Sequence, residues 1–104
     1  MKGTEKQIAW AKDIIKHGVE YLDERIAHDK ELGLTGNHEI AYRIMRAVYN
    51  NLLDIAPSAA RIIDNRGQFT GSQIERDACK YASILESGKL TADELAAKNG
   101  VTTY

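Results

Sequence analysis

A chain of 104 residues has the length of one domain and leaves no room for a second core. Apolar residues at 43% and charged residues at 28% exclude a disordered chain, which combines low hydrophobicity with high net charge. A formal net charge of −1 offers neither the strongly basic face of a nucleic-acid binder nor the acidic surface of a DNA mimic.

Helix signals dominate from the N-terminus onward, and no run alternates apolar and polar residues at strand spacing. Thr4 followed by Gln7 has the form of a capping box. Ile8, Ala11, Ile15, Val19, Leu22 and Ile26 then recur at helical spacing, with Trp10, Ile14 and Tyr21 widening the face, which predicts one long helix over 5–32. Gly18 lies inside it and predicts a kink or a close helix contact, because an interior Gly costs about 1 kcal/mol against Ala.

Gly33 and Gly36 form a turn, and Asn37 is the expected N-cap of a second helix. Its apolar stripe is Ile40, Ile44, Ala47, Val48, Asn51 and Ile55, with Met45, Leu52 and Leu53 beside it. It should end before Pro57, since the residue preceding a proline is pushed out of helical geometry. Pro57-Ser58 opens a short third helix over 58–65 that buries Ala59, Ile62 and Ile63, with Gly67 closing it. Residues 66–71 read as a loop. Ser72 with Glu75 reads as a second capping box, opening a helix lined by Ile74, Ala78, Tyr81 and Leu85 and ended by Gly88. Thr91 with Glu94 is a third box before a fifth helix over 92–98, stopped at Asn99-Gly100. The fold class is all-α: a single helical domain over 1–104, a compact bundle of about five helices in which the long first helix packs antiparallel to the second.

Cys79 is the only cysteine, so no intramolecular disulfide forms and a reducing compartment is expected. The N-terminus lacks the apolar run of a signal peptide and no stretch approaches a membrane span of about 20 apolar residues, so the expected location is the cytoplasm of a bacterial host. No catalytic, metal or cofactor site is expected. No two of His17, His28 and His38 stand at the i, i+4 spacing of a helical zinc site. Cys79, beside the apolar face of the fourth helix, reads as a small buried side chain rather than a nucleophile. The paired carboxylates Asp23-Glu24 and Glu75 with Asp77 read as solvated faces, and no glycine-rich phosphate loop occurs. Residues 90–102 resemble the opening helix and turn of a helix-turn-helix unit, but no recognition helix follows, and the expected element is a packing helix with a glycine cap.

The remaining candidates are arginines. The four basic residues of 37–66 are all Arg (Arg43, Arg46, Arg61, Arg66), whereas 1–36 holds five Lys and the single Arg25. Arginine is favoured at interfaces because its planar fork pairs bidentately and stacks. Arg43 and Arg46 share a helix face at i, i+3 and serve either partner contact or solvation equally well. Arg61 or Arg66 could instead pair with Asp64 or Asp54 to lock the third helix. Arg43, Arg46, Arg61, Asp64 and Arg66 are the partner-binding candidates.

Two segments carry a resemblance. Thr4-Glu5-Lys6-Gln7-Ile8-Ala9-Trp10-Ala11 resembles the opening of a set of small proteins carried by bacterial phages and other mobile elements, mainly in Gram-positive and gut bacteria. Ala59-Ala60-Arg61-Ile62-Ile63-Asp64-Asn65-Arg66 resembles their second signature, an apolar segment ending in Ile-Asp-x-Arg. The resemblance marks Trp10, Ile63, Asp64 and Arg66, with Trp10 and Ile63 expected in the core and Asp64-Arg66 as a structural pair or contact site. It implies a non-enzymatic accessory protein that binds and inhibits a host defence protein, most specifically an anti-CRISPR protein acting on a Cas effector nuclease. A small nucleic-acid-binding regulator and a self-associating structural protein, including a homodimer, are the alternatives; nucleic acid is the less favoured partner and no membrane contact is expected.

Overall fold

The computed structural model describes residues 1–55 and 58–104. Among the described residues five α-helices follow one another: α1 (Glu5–Glu31), α2 (Asn37–Ile55), α3 (Ala59–Asp64), α4 (Gly71–Ser87) and α5 (Ala92–Lys98), with a 3₁₀ turn, Arg66–Phe69, between α3 and α4. The described residues form an all-α bundle with a long N-terminal helix. The expected proline stop lies outside the described residues.

The capping box at the start of α1 is complete. The Gln7 N–H donates to Thr4 Oγ1 at 3.1 Å while the Thr4 N–H donates to Gln7 Oε1 at 3.1 Å, so two otherwise orphaned amides are satisfied. The helix then buries Ala11, Ile15, Gly18, Leu22, Ile26 and Asp29, a stripe at spacings of three and four. Along it Gly18 meets Tyr49, Asp23 meets Arg46 and Arg25 meets Tyr42. Numbers rising on α1 against numbers falling on α2 make the two helices antiparallel, as expected. Gly18 is the close contact: a Cβ there would lie 3.0 Å from Tyr49 Cε2.

Helix α1 ends in a Schellman motif. Gly33 takes φ +69°, its N–H donates to the Lys30 carbonyl, and the Leu34 N–H reaches back to the Asp29 carbonyl at 2.8 Å. Helix α5 ends the same way, with Gly100 at φ +74° and the Val101 N–H on the Ala96 carbonyl at 2.9 Å. The outcomes differ because the partner residue differs. In α5 the residue facing Val101 is Ala96, and Val101 is buried with 3% exposed; in α1 it is Asp29, and Leu34 stands 57% exposed.

Two apolar clusters make the core. The larger joins α1, α2, α3 and α4 around Ile15, Leu22, Tyr42, Met45, Tyr49, Phe69 and Ile74. The smaller seats Leu95, Ala96 and Val101 of the C-terminal region on Ile44 of α2 and the half-buried Ile84 and Leu85 of α4. Helix α2 therefore serves both clusters. Its Ala41–Tyr42–Met45–Tyr49 side faces the first and its Ile40–Ile44 side the second, with Val48 packed against both, while Ile55, expected in the stripe, is exposed.

Several local expectations are corrected. Trp10 is 50% exposed rather than core, because it precedes Ala11 and is turned about 100° from the buried stripe. Cys79 is exposed for the same reason, one residue beyond the buried Ala78. Asn37 is the first residue of α2 rather than its cap, with the Ile40 N–H donating to the Gly36 carbonyl. Helix α3 closes at Asn65, whose Nδ2 donates to the Arg61 carbonyl at 2.8 Å, and Gly67 falls inside the 3₁₀ turn that carries buried Phe69. Helix α4 begins at Gly71 behind Thr70, without a side-chain cap. The Ser72–Glu75 box does not form because Glu75 turns inward to other partners.

Candidate functional site

The five partner-binding candidates divide into two groups. On α2, Arg43 donates Nη2 to Glu39 Oε1 at 2.9 Å, one turn back, and Arg46 donates Nη1 to Asp23 Oδ1 of α1 at 3.0 Å. Both guanidiniums are thus already held by carboxylates, the second across the α1–α2 seam. The other three lie around α3. Arg61 is exposed and bonded through its backbone, its N–H donating to Ser58 Oγ and its carbonyl accepting from Asn65, while its guanidinium forms no ion pair among the described residues. Asp64 is exposed and forms no ion pair among the described residues, so neither Arg61 nor Arg66 locks α3 through it. Arg66 donates Nη1 to the Ile63 carbonyl at 2.9 Å and lays its guanidinium over Trp10, with Cζ 5.7 Å from the ring centroid.

That last contact joins the two segments singled out in the sequence. The Ala59 N–H donates to the Lys2 carbonyl at 2.7 Å, which ties the residues before α1 to the start of α3. Helix α3 lies on α1, and the 3₁₀ turn delivers Arg66 to Trp10. Beside the stacked pair runs an open cleft of about 640 Å³ lined by Ile14, His17, Asp64 and Phe69. Ile63 is in the core, as expected, and anchors this arrangement from beneath.

No family model, curated protein or solved structure matches the chain.

A second polar group was not anticipated from the sequence. Glu75 of α4 accepts from the Tyr21 hydroxyl of α1 at 2.6 Å and from the Tyr42 hydroxyl of α2 at 2.7 Å, one on each carboxylate oxygen. Arg25 Nε stands 3.3 Å from Glu75 Oε1 as an ion pair, in a geometry too poor for a hydrogen bond, and is buried there. Burial and then the bond to Glu75 push the Tyr42 hydroxyl up to about 12, partly offset by Arg25, and the same two causes raise Tyr21. The available signal was Arg25 itself, the lone arginine among lysines, four residues after Tyr21 on the same face.

Glu75 and Arg25 also line a cavity of about 560 Å³ at the α1–α2 turn, together with Asp29 and His38. Outside it, His38 Nε2 lies 3.7 Å from Cys79 Sγ. Among the described residues no three His, Cys, Asp or Glu side chains converge as metal ligands. No helix among them is long and apolar enough to cross a membrane.

Proposed function

We propose that this chain is a phage or mobile-element accessory protein that acts by binding a host defence protein rather than by catalysis, in its most specific form an anti-CRISPR protein that occludes a Cas effector. The contact face is Trp10 with Arg66, flanked by Arg61 and Asp64. One observation carries the reading: a half-exposed tryptophan, roofed by an arginine, sits beside an open cleft where the two marked segments meet. Tryptophan and arginine are the residue types that most often dominate binding energy at protein interfaces.

The nucleic-acid alternative draws less support. Arg43 and Arg46 are each neutralised by a carboxylate, and Leu95, Ala96 and Val101 seat the C-terminal helix and turn in the second apolar cluster rather than presenting them outward.

Purified chain mixed with purified Cas effectors, alongside a plasmid-interference assay, tests the proposal. The expected result is a stable complex with one effector and protection of the plasmid. In that complex Trp10→Ala weakens affinity by about thirtyfold or more, the loss of about 2 kcal/mol typical of a hot spot. Absence of a complex and of protection with every effector overturns the Cas reading. An unchanged affinity for Trp10→Ala overturns the face.

A further inference from the structure

Two metal-ligating side chains stand together away from the Trp10–Arg66 face, and the packing of α2 on α4 puts them there. The Tyr42 hydroxyl of α2 donates to Glu75 of α4 at 2.7 Å, which fixes the register of the two helices. His38 lies one turn before Tyr42 and Cys79 one turn after Glu75, so antiparallel packing in that register sets the imidazole opposite the thiol. His38 Nε2 lies 3.7 Å from Cys79 Sγ, and both side chains are exposed. The Tyr42 ring packs beside the His38 ring, with centroids 6.3 Å apart, and limits its swing.

That separation suits two ligands on one zinc ion. Zn–S of about 2.3 Å and Zn–N of about 2.0–2.1 Å, at a tetrahedral angle, place sulfur and nitrogen about 3.5–3.6 Å apart. A closed structural zinc site takes four such ligands, and one chain offers two. No third His, Cys, Asp or Glu joins them among the described residues, and Glu75, one turn back on α4, is held by Tyr21 and Tyr42.

We infer that the Cys79–His38 pair is half of a Cys₂His₂ zinc site, completed by the same pair from a second copy of this chain about a twofold axis. The pair opens to solvent, so another copy can reach it, and a twofold interface brings each residue its own counterpart. Each thiol releases its proton to solvent as its Zn–S bond forms. Two thiolates then cancel the charge of the ion, so Arg76 and Lys80, which line the cleft beside Cys79, face no net cation. Apolar surface for the second copy to cover is at hand: Leu34, 57% exposed, lines the same cavity as His38.

Sedimentation of the full chain in a phosphine reductant, titrated with zinc chloride, tests this. The expected result is a monomer in EDTA that becomes a dimer with zinc, saturating at one ion per two chains, and returns to monomer on chelation. Cobalt(II) in place of zinc should give thiolate charge-transfer and tetrahedral ligand-field absorption. Cys79→Ser and His38→Gln change exposed side chains, so each should keep the helical circular dichroism of the parent and lose both the dimer and the cobalt spectrum. His28→Gln, an exposed histidine elsewhere, should keep both. A chain that stays monomeric at saturating zinc overturns the inference. So does a dimer that persists in EDTA, a zinc-induced dimer retained by Cys79→Ser, or a dimer that forms only without reductant, which is a plain Cys79 disulfide.

Discussion

Gly18 lies where α1 comes close to α2, and the neighbour that fixes the distance cannot yield. Tyr49 is buried and its ring packs on Phe69 with centroids 4.8 Å apart, so a Cβ at residue 18 meets Tyr49 Cε2 at 3.0 Å with no slack behind it. Gly18→Ala gains about 1 kcal/mol of helix propensity, but overpacking costs about 1–3 kcal/mol; the expected outcome is a lower urea midpoint. Tyr42 gives a second test at this scale. Its hydroxyl is raised from 10.0 to about 12 by burial and by Glu75, so the folded state keeps a proton that the unfolded chain loses first. Its contribution is complete below pH 10 and fades as pH climbs to about 12. Tyr42→Phe removes this share, and urea midpoints followed from pH 9 to 12 should fall less steeply for the variant. Gly18 was legible in the sequence as either a kink or a close helix contact, and the packing of α1 on α2 selects the contact. The tyrosines were not: Tyr42 and Tyr49 fall off the stripe traced by Ile40, Ile44 and Val48, and a helix serving two clusters has two apolar faces.

Helix ends were legible where the chemistry is local. The boxes Thr4–Gln7 and Thr91–Glu94 need only residues three apart, and both form. The Ser72–Glu75 pattern obeys the same spacing and fails, because Glu75 gains two hydroxyl donors and an arginine by turning inward. A local rule gave way to tertiary partners that no spacing could reveal. The two Schellman motifs make a matched experiment. Val101 and Leu34 occupy the same position after their helices, yet one is buried on Leu95 and Ala96 and the other faces solvent. Val101→Ala should cost about 1–3 kcal/mol, whereas Leu34→Ala should stay within about 0.5 kcal/mol of the parent chain. Equal losses in chemical denaturation would mean that the turn itself, rather than the apolar seat, sets the value of the position.

Across the whole molecule, Glu75 is the point where α1, α2 and α4 are fastened together through Tyr21, Tyr42 and Arg25. Removing it leaves two hydroxyls without their acceptor and takes the ion-pair partner from a buried guanidinium nitrogen. Glu75→Ala should therefore cost roughly 2–4 kcal/mol, tempered by the partial exposure of the carboxylate. Glu75→Gln, which keeps one carbonyl acceptor, should recover part of it, and thermal unfolding of the two variants ranks them. The class of fold could be read from the sequence because four apolar stripes with local stops leave few alternatives. The candidate face could be read only in part. Arg61, Asp64 and Arg66 were identified by residue type, but the exposure of Trp10 depends on which residues of α1 the bundle buries.

Trp10 is the only tryptophan in the chain, and it lies under Arg66 at the surface. Its fluorescence is therefore a detector aimed at the wrong place for folding and the right place for recognition. Unfolding moves it from a half-wet setting to a wet one, so the emission maximum should shift little while circular dichroism collapses. A partner that covers the face should shift the emission to shorter wavelength with the helices intact, giving the chain a built-in, label-free reporter of the event it is proposed to carry out.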